Sequence, residues 1–250
     1  MWYGKIDELI NRLDGEASVL VKNLSTNEVY KYDENKIFPS ASMIKVPILL
    51  ELIDRSCERK INLDDVVEFK KEDIVQGYGI IKSLSPGINM TYRDCALLMI
   101  ILSDNIATNK LIETLGMDSI NEKIREIGME NTILQRKMMD AGAKKKGLDN
   151  FISAADLLTI FEYLYSHEKY NIAVDILKKQ LCNDLLPVLI GGNIEFAHKT
   201  GDLPGVRHDS GIMYLKSPIF VAVLTNNLKN DCDGITFSNE IGKIVYDHYK

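Results

Sequence analysis

The sequence predicts an α/β fold of the α+β type: a five-stranded, antiparallel sheet flanked by terminal helices, with an all-helical region inserted between its strands. Three observations predict it. Strand-like segments sit at both ends of the chain, at 17–21 and 29–32, then at 195–199, 210–215 and 219–224. The stretch between them carries helical spacing and wholly apolar helices. No low-complexity tract, internal repeat or Pro/Gly/Ser linker divides the 250 residues, so one cooperative unit is expected. Its sheet part should take in approximately residues 1–41 and 190–250, and its helical part approximately 42–189.

The elements follow in order. Residues 5–13 place Ile6, Leu9, Ile10 and Leu13 at helical spacing. Two strands flank the turn signal Ser25-Thr26-Asn27. A helix is expected from Ser42, with an apolar run at 46–52 and Pro47 near its start, where a missing N–H does least harm. Residues 96–102 are apolar on every face, which predicts a helix buried in the helical region. No period is visible over 132–152, so a long ordered loop is expected. Ser153 and Asp156 form a capping signal that opens a helix through Leu164. A final helix is expected over 240–249. Ser42 then lies at a strand-to-helix passage, on the seam between the two parts, where pockets form.

Bulk properties exclude several function classes. The net charge of −6 and pI near 5.3 argue against a nucleic-acid partner. Lys144-Lys145-Lys146 reads as a solvated loop. Four cysteines (Cys57, Cys95, Cys182, Cys232) form no Cys-x-x-Cys pair, and four histidines form no ligand cluster. Neither a disulfide framework nor a metal is expected, and no cofactor is called for. No apolar run reaches the roughly 18 residues of a membrane span. The start lacks a signal-peptide pattern, so the expectation is cytoplasmic on the sequence as given and extracytoplasmic if the chain has been trimmed. A monomer is expected.

Three motifs carry chemistry. Ser42-Met43-Ile44-Lys45 is Ser-x-x-Lys, which on a helix puts a hydroxyl and an amine on one face. A serine is a poor nucleophile until a base takes its proton, and a lysine in a dry cleft can serve because burial favours its neutral form. Roughly one such match arises by chance in a chain of this length. The second, Ser166-His167-Glu168-Lys169, is discarded because it lies at a polar helix end with no apolar run behind it. Ser103-Asp104-Asn105 follows the buried helix. It reads as a helix stop and N-cap, or as a proton relay (Ser103) with Asn105 holding a substrate amide. Lys199-Thr200-Gly201 sits on a strand and suits a substrate carboxylate, with glycine permitting close backbone approach. All three in this order are expected by coincidence in about one chain in a thousand or fewer.

The combination resembles class A β-lactamases and penicillin-binding proteins. The resemblance extends along nearly the whole chain, through Phe38-Pro-Ser-Ala-Ser-Met-Ile-Lys45 and Ser103-Asp-Asn-Ile-Ala-Thr-Asn109. It implies that Ser42 is acylated, that Lys45 acts as or assists the base, and that Ser103 protonates the departing β-lactam nitrogen. It further implies that Lys199 and Thr200 bind the substrate carboxylate and that the backbone N–H groups of Ser42 and Asp202 form the oxyanion hole. Tyr78 falls where the family has an aromatic gate, and a surface tyrosine is the alternative reading.

Two departures stand out. Class A enzymes keep a glutamate on the long loop to activate the deacylating water. Matching Thr132-Ile-Leu-Gln-Arg136 to the family's Thr-x-Leu-x-Arg puts Met138 at that place, with Asp140 the nearest carboxylate. The strand 219–224 also lacks the arginine that often partners the carboxylate, and Arg207 is the substitute, with a solvent-facing turn arginine as the alternative. The leading expectation is therefore an acyl-serine hydrolase acting on β-lactams, with slow release. The alternatives are a DD-peptidase acting on D-alanyl peptides, or a covalent penicillin-binding sensor that does not turn over.

Overall fold

The computed structural model describes residues 1–85, 87–190 and 194–250. An opening helix α1 (Trp2–Arg12) leads into β1 (Glu16–Asn23) and β2 (Val29–Tyr32), joined by a turn in which Asn27 adopts a left-handed φ of 62°. Two short ladders follow, β3 (Phe38–Pro39) with β6 (Phe151–Ile152) and β4 (Val66–Glu68) with β5 (Asn89–Thr91). The helical body comprises α2 (Lys45–Cys57), α3 (Tyr92–Ile101), α4 (Asn105–Leu115), α5 (Met117–Glu126), α6 (Ala141–Lys145), α7 (Ala154–Ser166) and α8 (Asn171–Leu177). The chain then returns to the sheet through β7 (Glu195–Leu203), β8 (Val206–Tyr214) and β9 (Pro218–Asn226), and closes with α9 (Asp231–Tyr249).

The sheet has five strands in the order β2-β1-β9-β8-β7, every neighbouring pair antiparallel. Alternation along β1 and β9 divides the core in two. Val19, Val21, Val221 and Val223 face the terminal helices and pack with Ile6, Ile241 and Val245. Leu20, Phe220, Ala222 and Leu224 face the other way, into the helical body with Phe161 and Ile48. One edge of the sheet is β2 and the other is β7, the strand that carries Lys199, Thr200 and Gly201.

Three sequence expectations need correction. The last helix begins at Asp231, nine residues before its expected start, because Gly234 in its first turn reads as a break. Gly242 is there for packing: a Cβ would lie 2.0 Å from the Leu186 carbonyl oxygen. The stretch 132–152 is not wholly irregular, since it contains α6 and ends in β6. Ser42 lies in a 3-10 turn (Ala41–Ile44) and α2 starts only at Lys45. The Lys45 amine at the start of α2 makes its hydrogen bonds with Ser103 and Asn105.

Candidate active site

The turn that carries Ser42 is held by its flanks. Ser40 N–H donates to the Asn150 carbonyl (2.8 Å), and the Pro39 carbonyl accepts from His208 Nε2 (2.9 Å). Burial drives the His208 pKa down to about 4, so its ring is neutral, with Nδ1 accepting from the Thr225 N–H (3.2 Å). Ala41 takes a left-handed φ of 45°, a conformation that surrounding contacts must enforce in a non-glycine residue. The edge strand then closes on the turn. A Cβ on Gly201 would stand 3.0 Å from the Ser42 nitrogen and 3.1 Å from the Ala41 Cβ, so a side chain there would press on the turn, and glycine keeps the approach close.

Behind Ser42 two fully buried lysines converge on one hydroxyl. Lys45 Nζ donates to the Ser103 carbonyl (2.7 Å) and to Asn105 Oδ1 (3.0 Å), and lies 3.1 Å from Ser103 Oγ. Lys199 Nζ lies 3.2 Å from the same Oγ and donates to the Thr200 carbonyl (2.7 Å). None of these partners is a carboxylate. Burial, reinforced by the positive charge of Lys199, pushes the Lys45 pKa well below its ordinary value. Burial also lowers Lys199, to about 8. Lys45 is thus biased towards the neutral amine, whose lone pair can take a proton, and Ser103 Oγ stands within relay distance.

Ser103 is presented by a strained junction. Its φ is 52°, at a cost of about 1–2 kcal/mol for an L residue, and Asp104 secures the turn. Asp104 Oδ1 caps α4 through the N–H groups of Ile106 and Ala107, and Oδ2 accepts from Ile80 and Ile81. The helix-stop and relay readings of Ser-Asp-Asn therefore divide between residues: Asp104 is the cap, and Ser103 faces the two lysines. Asn105 spends its side chain on Lys45 and, at 3.4 Å, on the Gln76 carbonyl.

The cleft in front has two lobes. The first, about 370 Å³, is lined by Ser42, Tyr78, Asn105, Met138, Met139 and Asp202 among others. The second, about 300 Å³, is lined by Ser103, Thr200, Gly201 and Cys182. Tyr78, Asp202 and Arg207 border both. Tyr78 bridges the mouth by donating its hydroxyl to Asp202 Oδ2 (2.9 Å), a bond that raises its pKa to about 12. Arg207 pairs with Asp231 (2.9 Å) and donates to the carbonyls of Leu203 and Val206, so it is not a free turn arginine. The discarded Ser166 hydroxyl donates to the Glu162 carbonyl, and Lys169 pairs with Asp54.

Several residues at the site escaped sequence reasoning. Arg136 and Asp149 pair at 2.8 Å across the neck of the long loop, and Asn150 Oδ1 accepts from the N–H groups of Gln135 and Arg136. Asn109 grips the loop from α4: its Oδ1 accepts from Met138 N–H (2.7 Å) and its Nδ2 donates to the Met138 carbonyl (3.0 Å). Met138 is buried at the cleft wall. Asp140 instead caps α6, accepting from Ala143 N–H (2.9 Å), and does not line the cleft. Among the described residues no group of three metal-binding side chains assembles, and no helix is long and apolar enough to cross a membrane.

The chain is similar to β-lactamase CARB-4 of Pseudomonas aeruginosa, with 24% identity covering 95% of this chain and 86% of that protein. It is also similar to the D-alanyl-D-alanine carboxypeptidase DacF of Bacillus subtilis, with 24% identity over 63% of this chain and 43% of that one. Among solved structures, a β-lactamase from Sphaerobacter thermophilus superposes with a TM-score of 0.92 at 25% identity, covering 99% of this chain and 97% of the other. PBP-A superposes with a TM-score of 0.90 at 27% identity, covering 99% and 95%, and a variant of it has been solved as an acyl-enzyme with penicillin G. Residues 3–249 match the beta-lactamase enzyme family, and the chain, a serine hydrolase, belongs to that family.

Proposed function

We propose that this hydrolase opens β-lactams by acylating Ser42 and releases the acyl group slowly. The observation that carries the reading is the convergence of Lys45 and Lys199 on Ser103 Oγ beside the Ser42 turn. In the acylation step the neutral Lys45 amine takes the Ser42 hydroxyl proton as Oγ bonds to the ring carbonyl carbon. The developing oxyanion is met by the backbone N–H groups of Ser42 and Asp202, on the turn and edge strand that Gly201 brings together. When the C–N bond breaks, Ser103 gives its proton to the nitrogen and recovers one from Lys45. Lys199 and Thr200 bind the ring carboxylate, with Arg207 at the rim of the same lobe. Asn105 orients Lys45 and borders the space for the substrate's side-chain amide.

Release requires a water and a base at the cleft wall. The side chain there is Met138, whose thioether is at best a weak acceptor. Asp149 and Asp231, the other carboxylates lining this lobe besides Asp202, are each paired with an arginine. The acyl-enzyme should therefore accumulate. The same machinery suits D-alanyl peptides, a second reading favoured by the likeness to DacF and by the methionine at the cleft wall. Stopped-flow hydrolysis of a chromogenic cephalosporin tests the proposal. A burst stoichiometric with enzyme followed by a slow steady rate supports it, and linear fast turnover without a burst would refute it.

A further inference from the structure

We infer that Asp202 makes the cleft selective for substrates with a positive charge on the acyl side chain, so that the preferred ligand is a zwitterion. The inference rests on the proposed acylation of Ser42 and concerns what that same cleft prefers. Along edge strand β7, Thr200 and Asp202 are two residues apart and share one face of the sheet. About 6–7 Å of strand separates them. The strand thus offers Thr200, with buried Lys199 beside it, at one end and a carboxylate at the other.

Charge compensation singles out Asp202. Each arginine lining the first lobe already has an acid: Arg136 has Asp149 at 2.8 Å and Arg207 has Asp231 at 2.9 Å. Arg207 stands directly across the ladder from Asp202, yet its guanidinium is turned to Asp231 and to two backbone carbonyls. Among the described residues Asp202 forms no ion pair, and its hydrogen-bond partner is the neutral Tyr78 hydroxyl. Asp202 is partly exposed and borders both lobes, so a cation entering with the acyl group meets an acid not already paired. An anion at the same place meets repulsion.

Three penicillins that share a nucleus and a phenyl side chain provide the test: benzylpenicillin, ampicillin with an α-ammonium, and carbenicillin with an α-carboxylate. Second-order acylation rates are measured for all three at a pH where the amine is protonated. The preference for ampicillin over carbenicillin should fall about tenfold in Asp202→Asn, whose backbone is unchanged, and reverse in Asp202→Lys. In the wild type the same preference should shrink as salt is raised, a readout that does not depend on how the variants fold. A ratio unmoved by both Asp202→Asn and salt would overturn the inference while leaving acylation in place. Failure of all three compounds to acylate Ser42 would instead refute the underlying function.

Discussion

Asn109 holds Met138 from both sides, its amide oxygen on the methionine N–H and its amide nitrogen on the methionine carbonyl, which fixes the thioether at the cleft wall. In the proposed mechanism this is where a deacylating base is needed, and a thioether supplies none. Met138→Glu should accelerate decay of the acyl-enzyme tenfold or more, the lower range of general-base catalysis, and should change acylation less. Asp140→Asn should leave decay unchanged, because Asp140 caps α6 away from the cleft. Single-turnover rates of formation and decay separate the two effects.

The base assignment predicts a different pattern. Lys45→Met keeps the stem and removes the amine, so acylation should slow by about 100-fold or more. Lys45→Arg should not rescue it, since a guanidinium stays protonated. Ser166→Ala, at the distant second Ser-x-x-Lys, should acylate like the wild type. A Lys45→Arg enzyme acylating at the wild-type rate would remove Lys45 from the mechanism.

In the proposed mechanism the two lysines also set the pH profile. Burial disfavours the charged form of each, so both lose protons earlier than free lysine. Acylation needs Lys45 neutral, so its rate should rise as pH climbs through the depressed Lys45 pKa. It also needs Lys199 charged to hold the carboxylate, so the rate should fall above about 8. The profile is a bell, and Lys199→Arg, which keeps its charge, should move the alkaline limb upward. An unmoved limb in a folded Lys199→Arg protein would assign that limb to another group.

Much of this site was legible because its residues are local in sequence. Ser42 and Lys45, or Lys199, Thr200 and Gly201, sit within four positions of one another, and their order along the chain adds information. The residues that shape the loop are not local. Asn109 and Met138 are 29 positions apart, and Arg136 and Asp149 are 13 apart, with no periodic pattern linking them. The bridge from Tyr78 to Asp202 spans 124 positions. The sheet was readable from short apolar runs at both ends of the chain, which in β1 and β9 are buried along nearly their whole length, whereas the start of α9 was misjudged because Gly234, admitted for close packing, looks like a break.

Stability should depend on a cluster remote from the cleft. Asp54 is buried and accepts from Lys123 (2.7 Å), Lys169 (2.8 Å) and the Tyr170 hydroxyl (2.6 Å), tying α2 to α5 and the segment before α8. Asp54→Ala strands the buried Tyr170 hydroxyl and takes one partner from Lys123, which keeps Glu126 at 2.7 Å, and should cost about 2 kcal/mol. The urea midpoint should drop accordingly, while the acylation rate of the folded fraction stays near wild type.

The most direct measurement is the intact mass of the protein mixed with benzylpenicillin, followed over time and mapped to a peptide. The expected gain equals one whole penicillin molecule, since ring opening loses no atoms. The gain should sit on the peptide containing Ser42, be absent in Ser42→Ala, and persist after free drug is removed. Rapid hydrolysis without a detectable adduct, eliminated by Asp140→Asn or Asp202→Asn, would contradict it by showing that a carboxylate already serves as the deacylating base.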